Sequence, residues 1–78
     1  MSELERENVW ITPQMGLRLR TAREAKGMTR SQLAQMVNAS VTQIEHYERG
    51  EHDMAMERLF DLAGILGIPV SEIFSVDP

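Results

Sequence analysis

The chain has 78 residues, a length that accommodates one small domain and excludes a multidomain enzyme. Hydrophobic residues make up 42% and charged residues 26% of the sequence, which is typical of a folded globular protein. The absence of cysteine fits the reducing cytoplasm, and no apolar run reaches the roughly 18 residues needed to span a membrane. We therefore expect a cytoplasmic domain with no membrane contact.

The net charge of −4 is unevenly distributed along the chain. Residues 14–50 carry six Lys and Arg against three Glu, whereas residues 51–78 carry six Asp and Glu against one Arg. A basic segment of this kind is typical of a solvated helix face, and also of a surface that contacts nucleic-acid phosphates. The charge pattern leaves both interpretations open.

The spacing of apolar and capping residues predicts an all-α fold. Four helices are predicted over about residues 14–26, 30–37, 41–48 and 55–66, and a final helical turn over about residues 71–75. Thr29 and Ser40 each stand three residues before a Gln, which is the spacing of a capping box that begins a helix. No alternating run of β-branched residues indicates a strand. We expect residues 1–12 to form a flexible arm and residues 13–78 to form the domain.

The second and third predicted helices are joined by a tight turn at Asn38, as in a helix-turn-helix. In the third helix, Ile44 and Tyr47 point the same way and are predicted to contact the core. The opposite face carries side chains that can donate, accept or touch a methyl group: Thr42, Glu45 and His46 at its centre, and Val41 and Gln43 at its flanks. Such a face suits the base edges of a major groove, but an ordinary solvated surface has a similar composition.

The segment LRTAREAKGMTRSQLAQMVNASVTQIEHYERG resembles the Cro/CI-type phage repressor domains, also called the XRE family. The similar region runs from Met15 to about Phe74 and includes the closing segment LGIPVSEIF. The resemblance implies five helices in a compact, lambda-repressor-like domain that binds double-stranded DNA and regulates transcription. In this arrangement residues 30–37 cross the DNA backbone and residues 40–48 lie in the major groove.

The resemblance implies roles for individual residues. Val41, Thr42 and His46 match family positions that contact bases. Glu45 on the same face either accepts from a cytosine amino group, repels nearby phosphates or faces water. Arg30 stands where the family usually has Gln, which favours a phosphate contact at this position. The full set of candidates for phosphate contacts is Arg18, Arg20, Arg30, Ser40, Gln43 and Arg49. Arg23 and Glu48 match a structural ion pair between the first helix and the end of the third.

A homodimer is also expected, because domains of this kind usually bind pseudo-palindromic sites with two-fold symmetry. The candidates for the dimer interface are Ile68, Val70, Ile73 and Phe74. The alternative is that these apolar side chains only close the core of the monomer.

Catalytic and metal-binding functions find little support in the sequence. No combination of nucleophile and base, and no glycine-rich phosphate loop, indicates an enzyme or a cofactor. His46 and His52 lie near several Glu residues, but a helix face and a loop need not converge, so we expect water-facing histidines and no metal. The alternative function is a protein-interaction module, such as an antitoxin or regulatory adaptor, that binds a protein partner through the acidic C-terminal half.

Overall fold

The computed structural model describes residues 7–74, which form five helices and a two-stranded sheet. In chain order the elements are β1 (Asn8–Ile11), α1 (Pro13–Ala25), α2 (Arg30–Met36), α3 (Val41–Arg49), β2 (His52–Ala55), α4 (Met56–Leu66) and α5 (Val70–Phe74). The predicted helical architecture is confirmed, and each helix end within the described residues lies within one position of the prediction. The predicted end of the last helix, residue 75, lies outside the described residues.

Complete capping boxes begin α2 and α3. The Thr29 hydroxyl accepts from the Gln32 backbone N–H at 3.0 Å, and the Gln32 side chain accepts from the Thr29 N–H at 2.8 Å. Ser40 and Gln43 make the same reciprocal pair at 3.1 and 3.0 Å. Between the two helices, Asn38 takes a φ of 55°, a conformation that Asn adopts more easily than most residues. The helix-turn-helix is therefore specified by local side chains.

Arg58 of α4 links this turn to the rest of the domain through two hydrogen bonds. Its guanidinium donates to the Asn38 carbonyl at 3.4 Å and to the Tyr47 hydroxyl at 3.3 Å. The start of α4 is therefore linked both to the turn and to α3. α4 begins after Ala55, and no side chain caps it.

The sheet is the element that the sequence pattern did not predict. β1 pairs with β2 in antiparallel orientation, with Val9 opposite Met54 and Ile11 opposite His52. Ile11 and Met54 are buried in the core, so residues 8–11 of the predicted flexible arm belong to the fold. The expectation of a chain without strands is wrong in this respect, because four-residue strands are too short to show a recognisable alternation. Residues 1–6 of the predicted arm lie outside the described residues.

One hydrophobic core unites all of these elements. Ile44 and Tyr47 of α3 are buried in it, as predicted. Ile73 of α5 is completely buried as well, and its assignment to a dimer interface is therefore corrected: its side chain fills the core of the monomer. The buried apolar residues are Ile11, Met15, Leu19, Leu33, Ala34, Val37, Ile44, Tyr47, Met54, Leu59, Leu62, Ala63, Leu66 and Ile73.

Two glycines allow α1 to approach the C-terminal end of α3 at backbone distance. A Cβ atom on Gly16 would lie 2.4 Å from the Glu48 carbonyl oxygen and 2.5 Å from that of Tyr47. Gly50 ends α3 with a φ of 81°, and a Cβ there would lie 2.4 Å from the Pro13 nitrogen. The position of α3 on the domain is therefore set by contacts that only glycine permits.

Candidate nucleic-acid interface

α3 presents one face to solvent and buries the other. Val41, Thr42 and His46 are exposed, and Glu45 on the same side is half-buried. The structure therefore brings the predicted base-contact candidates together on a single surface. The opposite face is held by Ile44 and Tyr47, so this surface belongs to a helix that is anchored along its length.

The N-terminal end of α3 uses Ser40 and Gln43, which were predicted to contact phosphate, as its capping box. Both side chains remain exposed. Within residues 7–74 no partner is found for the side-chain NH₂ group of Gln43, because the capping box uses only its oxygen. The NH₂ group of Gln43 can therefore donate a hydrogen bond to a phosphate.

Three arginines from three helices line one surface depression of about 320 Å³, beside the exposed face of α3. Arg20 comes from α1, Arg30 from α2 and Arg49 from α3, and Glu45 and Glu48 complete the lining. Arg49 is exposed and pairs with no other described residue, whereas Arg20 forms a half-exposed pair with Glu24 at 3.3 Å. This depression concentrates guanidinium groups next to the predicted base-contact surface.

Arg18 does not join this group. It lies on the other side of α1, where it lines a separate, largely apolar depression of about 280 Å³ together with Leu17 and Ile68. Leu17 is exposed and was not singled out in the sequence. Of the remaining dimer-interface candidates, Ile68 and Val70 are half-buried against the core and Phe74 is 40% exposed.

A buried ion cluster ties the ends of the helices together. The Arg23 guanidinium binds the Glu48 carboxylate with two N–H donors, Nε to Oε2 at 2.6 Å and Nη2 to Oε1 at 3.1 Å. Its Nη1 donates to the Met28 carbonyl at 2.8 Å. The hydrogen bonds to Glu48 raise the pKa of Arg23 above its ordinary value, and burial only partly opposes this effect. Arg23 therefore stays charged throughout the physiological pH range.

Arg30 adds a third donor to the same carboxylate, with its Nε 3.0 Å from Glu48 Oε1. This contact joins residues 18 positions apart and was not predicted from the sequence. The Arg30 side chain is 39% exposed, in contrast to 8% for Arg23 and 4% for Glu48. One carboxylate thus accepts from two guanidinium groups, and the cluster presents its excess positive charge at the depression.

His46 and His52 converge, although a helix face and a loop need not do so. Their ring centroids lie 5.3 Å apart at an interplanar angle of 30°. His52 also meets the Tyr47 ring edge-on at 5.6 Å. No group of three or more potential ligand side chains able to hold a metal occurs in the described part of the chain. The contact depends on β2, which the sequence pattern did not predict.

Comparison with protein families places residues 19–73 in a helix-turn-helix family. A transcriptional regulator in the ATPase CF(0) region of Rhodospirillum rubrum is 34% identical over 65 residues, which cover 83% of this chain and 60% of that protein. An HTH-type transcriptional regulator of Sinorhizobium medicae is 33% identical over 64 residues, covering 82% of this chain and 46% of that protein. The chain thus spans less than two thirds of the length of either relative.

Solved structures share the fold. The clp gene regulator ClgR from Corynebacterium glutamicum has a TM-score of 0.74 at 29% identity, covering 80% of this chain and 66% of that one. The restriction-modification controller protein C.AhdI from Aeromonas hydrophila has a TM-score of 0.72 at 31% identity, covering 78% of this chain and 92% of that one.

No helix within residues 7–74 is long and apolar enough to cross a membrane. The chain belongs to the Cro/CI-type (XRE) helix-turn-helix family of DNA-binding transcriptional regulators.

Proposed function

We propose that this chain regulates transcription by sequence-specific binding to double-stranded DNA, with α3 in the major groove. The observation that carries the proposal is the exposed face of α3, which stands beside three arginines that converge on one depression. A helix fits the major groove, where each base pair shows a distinct pattern of donors, acceptors and methyl groups. Family membership supports DNA binding, and the exposed residues determine what is read.

The side chains on the α3 face define which base features they can contact. Val41 has no hydrogen-bonding group and is assigned an apolar contact with a thymine methyl group. Thr42 and His46 offer hydrogen bonds to base edges, and Glu45 accepts from a cytosine amino group. No arginine stands among these four residues, so we assign no bidentate arginine contact with guanine to this face.

The phosphate contacts are assigned to the residues around this face. Arg20, Arg30 and Arg49 line the depression, and the amide of Gln43 and the hydroxyl of Ser40 stand at the start of α3. Contacts of this kind hold the helix in register without reading sequence. Arg18 lines a different depression and is left out of the set.

We further infer a cytoplasmic homodimer that acts without catalysis or a cofactor. Phe74 and Leu17 expose apolar surface, and the half-buried Ile68 and Val70 extend the candidate interface. A two-fold dimer of such domains reads two half-sites about one helical turn, roughly 34–36 Å, apart. Sedimentation that shows a monomer both free and on DNA would remove this inference.

Selection from a random duplex library at about 100 mM salt tests the proposal, because salt weakens binding that depends on phosphate contacts alone. Enrichment of a two-fold symmetric motif supports sequence-specific binding. If protein that is folded by circular dichroism enriches no motif, the proposal is contradicted. The acidic segment 51–78 would then favour the protein-interaction module, and a pull-down would identify the partner.

A further inference from the structure

His52 lies outside the helix-turn-helix and contacts His46 on the predicted base-contact surface. Its ring lies against that of His46, with the centroids 5.3 Å apart and the planes tilted by 30°. It also packs edge-on against the ring of Tyr47, whose side chain is buried. His46 is thus the exposed member of a ring cluster whose base lies in the core.

The position of the His52 ring is set by the sheet. Its Nδ1 lies 2.7 Å from the Asp53 carbonyl oxygen, and because a carbonyl oxygen only accepts, Nδ1 carries the proton in this contact. The His52 backbone pairs with that of Ile11, whose side chain is completely buried. The neighbouring Glu51 N–H also donates to the Ile11 carbonyl. These contacts make β2 a fixed support for the ring.

An exposed side chain on a helix ordinarily samples several rotamers, and ordering it on binding costs conformational entropy. A ring contact that already holds the bound rotamer lowers this cost, so it favours the one base edge that the rotamer reaches. Among the predicted base-contact residues in the described chain, His46 is the one with such a ring contact.

We propose that His52 is a positioning residue that fixes the His46 imidazole and thereby sets the base preference at the position His46 reads. The inference rests on the proposed function of α3, and it adds a residue from β2 to the determinants of specificity. His52 acts through His46, so its effect falls on one base pair of each half-site. The phosphate contacts do not depend on it.

The test compares affinities for the selected duplex and its single-base-pair variants, measured by fluorescence anisotropy. In His52→Ala the preference at the His46 position falls by roughly three- to tenfold, the range expected for the loss of one ring–ring contact. His52→Phe keeps a flat ring and retains the preference, whereas His52→Leu has similar bulk without that ring and loses it. Asp53→Ala, an exposed neighbour in β2, leaves the preference unchanged.

A double-substitution cycle separates positioning from a general structural role. His46→Ala/His52→Ala should show the same preference at every base pair as His46→Ala alone, because His52 itself contacts no base. The proposal is overturned if His52→Ala keeps the wild-type profile, if it weakens all duplexes equally, or if the double variant loses preference at further positions.

NMR on the free protein distinguishes this inference from the proposed function. Ring-to-ring nuclear Overhauser effects between His46 and His52, and a single χ1 rotamer of His46 that becomes averaged in His52→Ala, are expected without DNA. Averaged rotamers in the wild type overturn the inference even where DNA is bound specifically. If instead the rings are ordered but no duplex is preferred, the proposed function fails, and the role of His52 in specificity fails with it.

Discussion

Replacing Glu48 with Gln removes a carboxylate that joins α1, α2 and α3. Arg23 loses the charged carboxylate that accepts two of its hydrogen bonds, with N···O distances of 2.6 and 3.1 Å. Arg30 loses its hydrogen bond to the same carboxylate, at 3.0 Å. Gln keeps nearly the same shape and one acceptor, so the change tests the charge and leaves the packing largely intact. Arg23 cannot respond by turning to solvent, because only 8% of its side chain is exposed.

The expected loss in the free energy of unfolding is therefore large. Breaking a buried pair by removing one partner leaves an uncompensated charge and typically costs about 3–5 kcal/mol. The contribution of the partly exposed Arg30 is screened by solvent and adds less than about 1 kcal/mol. A domain of this size has a free energy of unfolding of roughly 5–15 kcal/mol, so Glu48→Gln removes a large part of it. The melting temperature should fall by roughly 15–30 °C.

Urea and thermal unfolding followed by circular dichroism measure this loss. Glu24→Gln is the matched control, because it breaks the Arg20 pair on the surface, where the two side chains are 50% and 53% exposed, and should cost less than about 0.5 kcal/mol. Arg23→Met/Glu48→Met should be more stable than Glu48→Gln, since no buried charge is left unpaired. The reasoning is refuted if Glu48→Gln is as stable as Glu24→Gln.

Further substitutions check other parts of the structure by urea denaturation. Gly16→Ala should destabilise by about 1–3 kcal/mol, because its Cβ meets the backbone of α3, whereas Gly64→Ala, which has open space around it, should gain about 0.5–1 kcal/mol. Equal effects of the two would contradict the close approach of α1 to α3. Ser40→Ala should cost about 1 kcal/mol through the lost cap, and an unchanged midpoint would argue against the capping box. Ile73→Ala should cost about 2–5 kcal/mol, while Phe74→Ala should leave the monomer nearly as stable but weaken self-association in sedimentation. A stable Ile73→Ala would mean that this side chain is not in the core.

The helices could be predicted because their signals are local. Thr29 and Ser40 form their capping boxes with residues three positions away, and Asn38 marks the turn by its own backbone preference. The burial of Ile44 and Tyr47 followed from the helical period alone.

The features that the sequence did not reveal depend on contacts between distant residues. β1 and β2 pair across some forty residues, and neither is long enough to show alternation. The His46–His52 contact depends on that pairing, and the Arg30–Glu48 contact depends on how α2 packs against α3. The helical spacing of apolar residues could not assign Ile73 to the core or to the surface, because α5 has only five residues.

The most direct test of the central claim, that the exposed face of α3 reads DNA sequence, is a parallel selection from one random duplex library. Three proteins are compared: the wild type, Thr42→Ala/His46→Ala, and Asp61→Ala as a control on the exposed side of α4. The account predicts one symmetric motif for the wild type and for Asp61→Ala, and loss of that motif in the double variant while it remains folded. Enrichment of the wild-type motif by the double variant would contradict the account, because these α3 side chains would then contribute nothing to the sequence that is read.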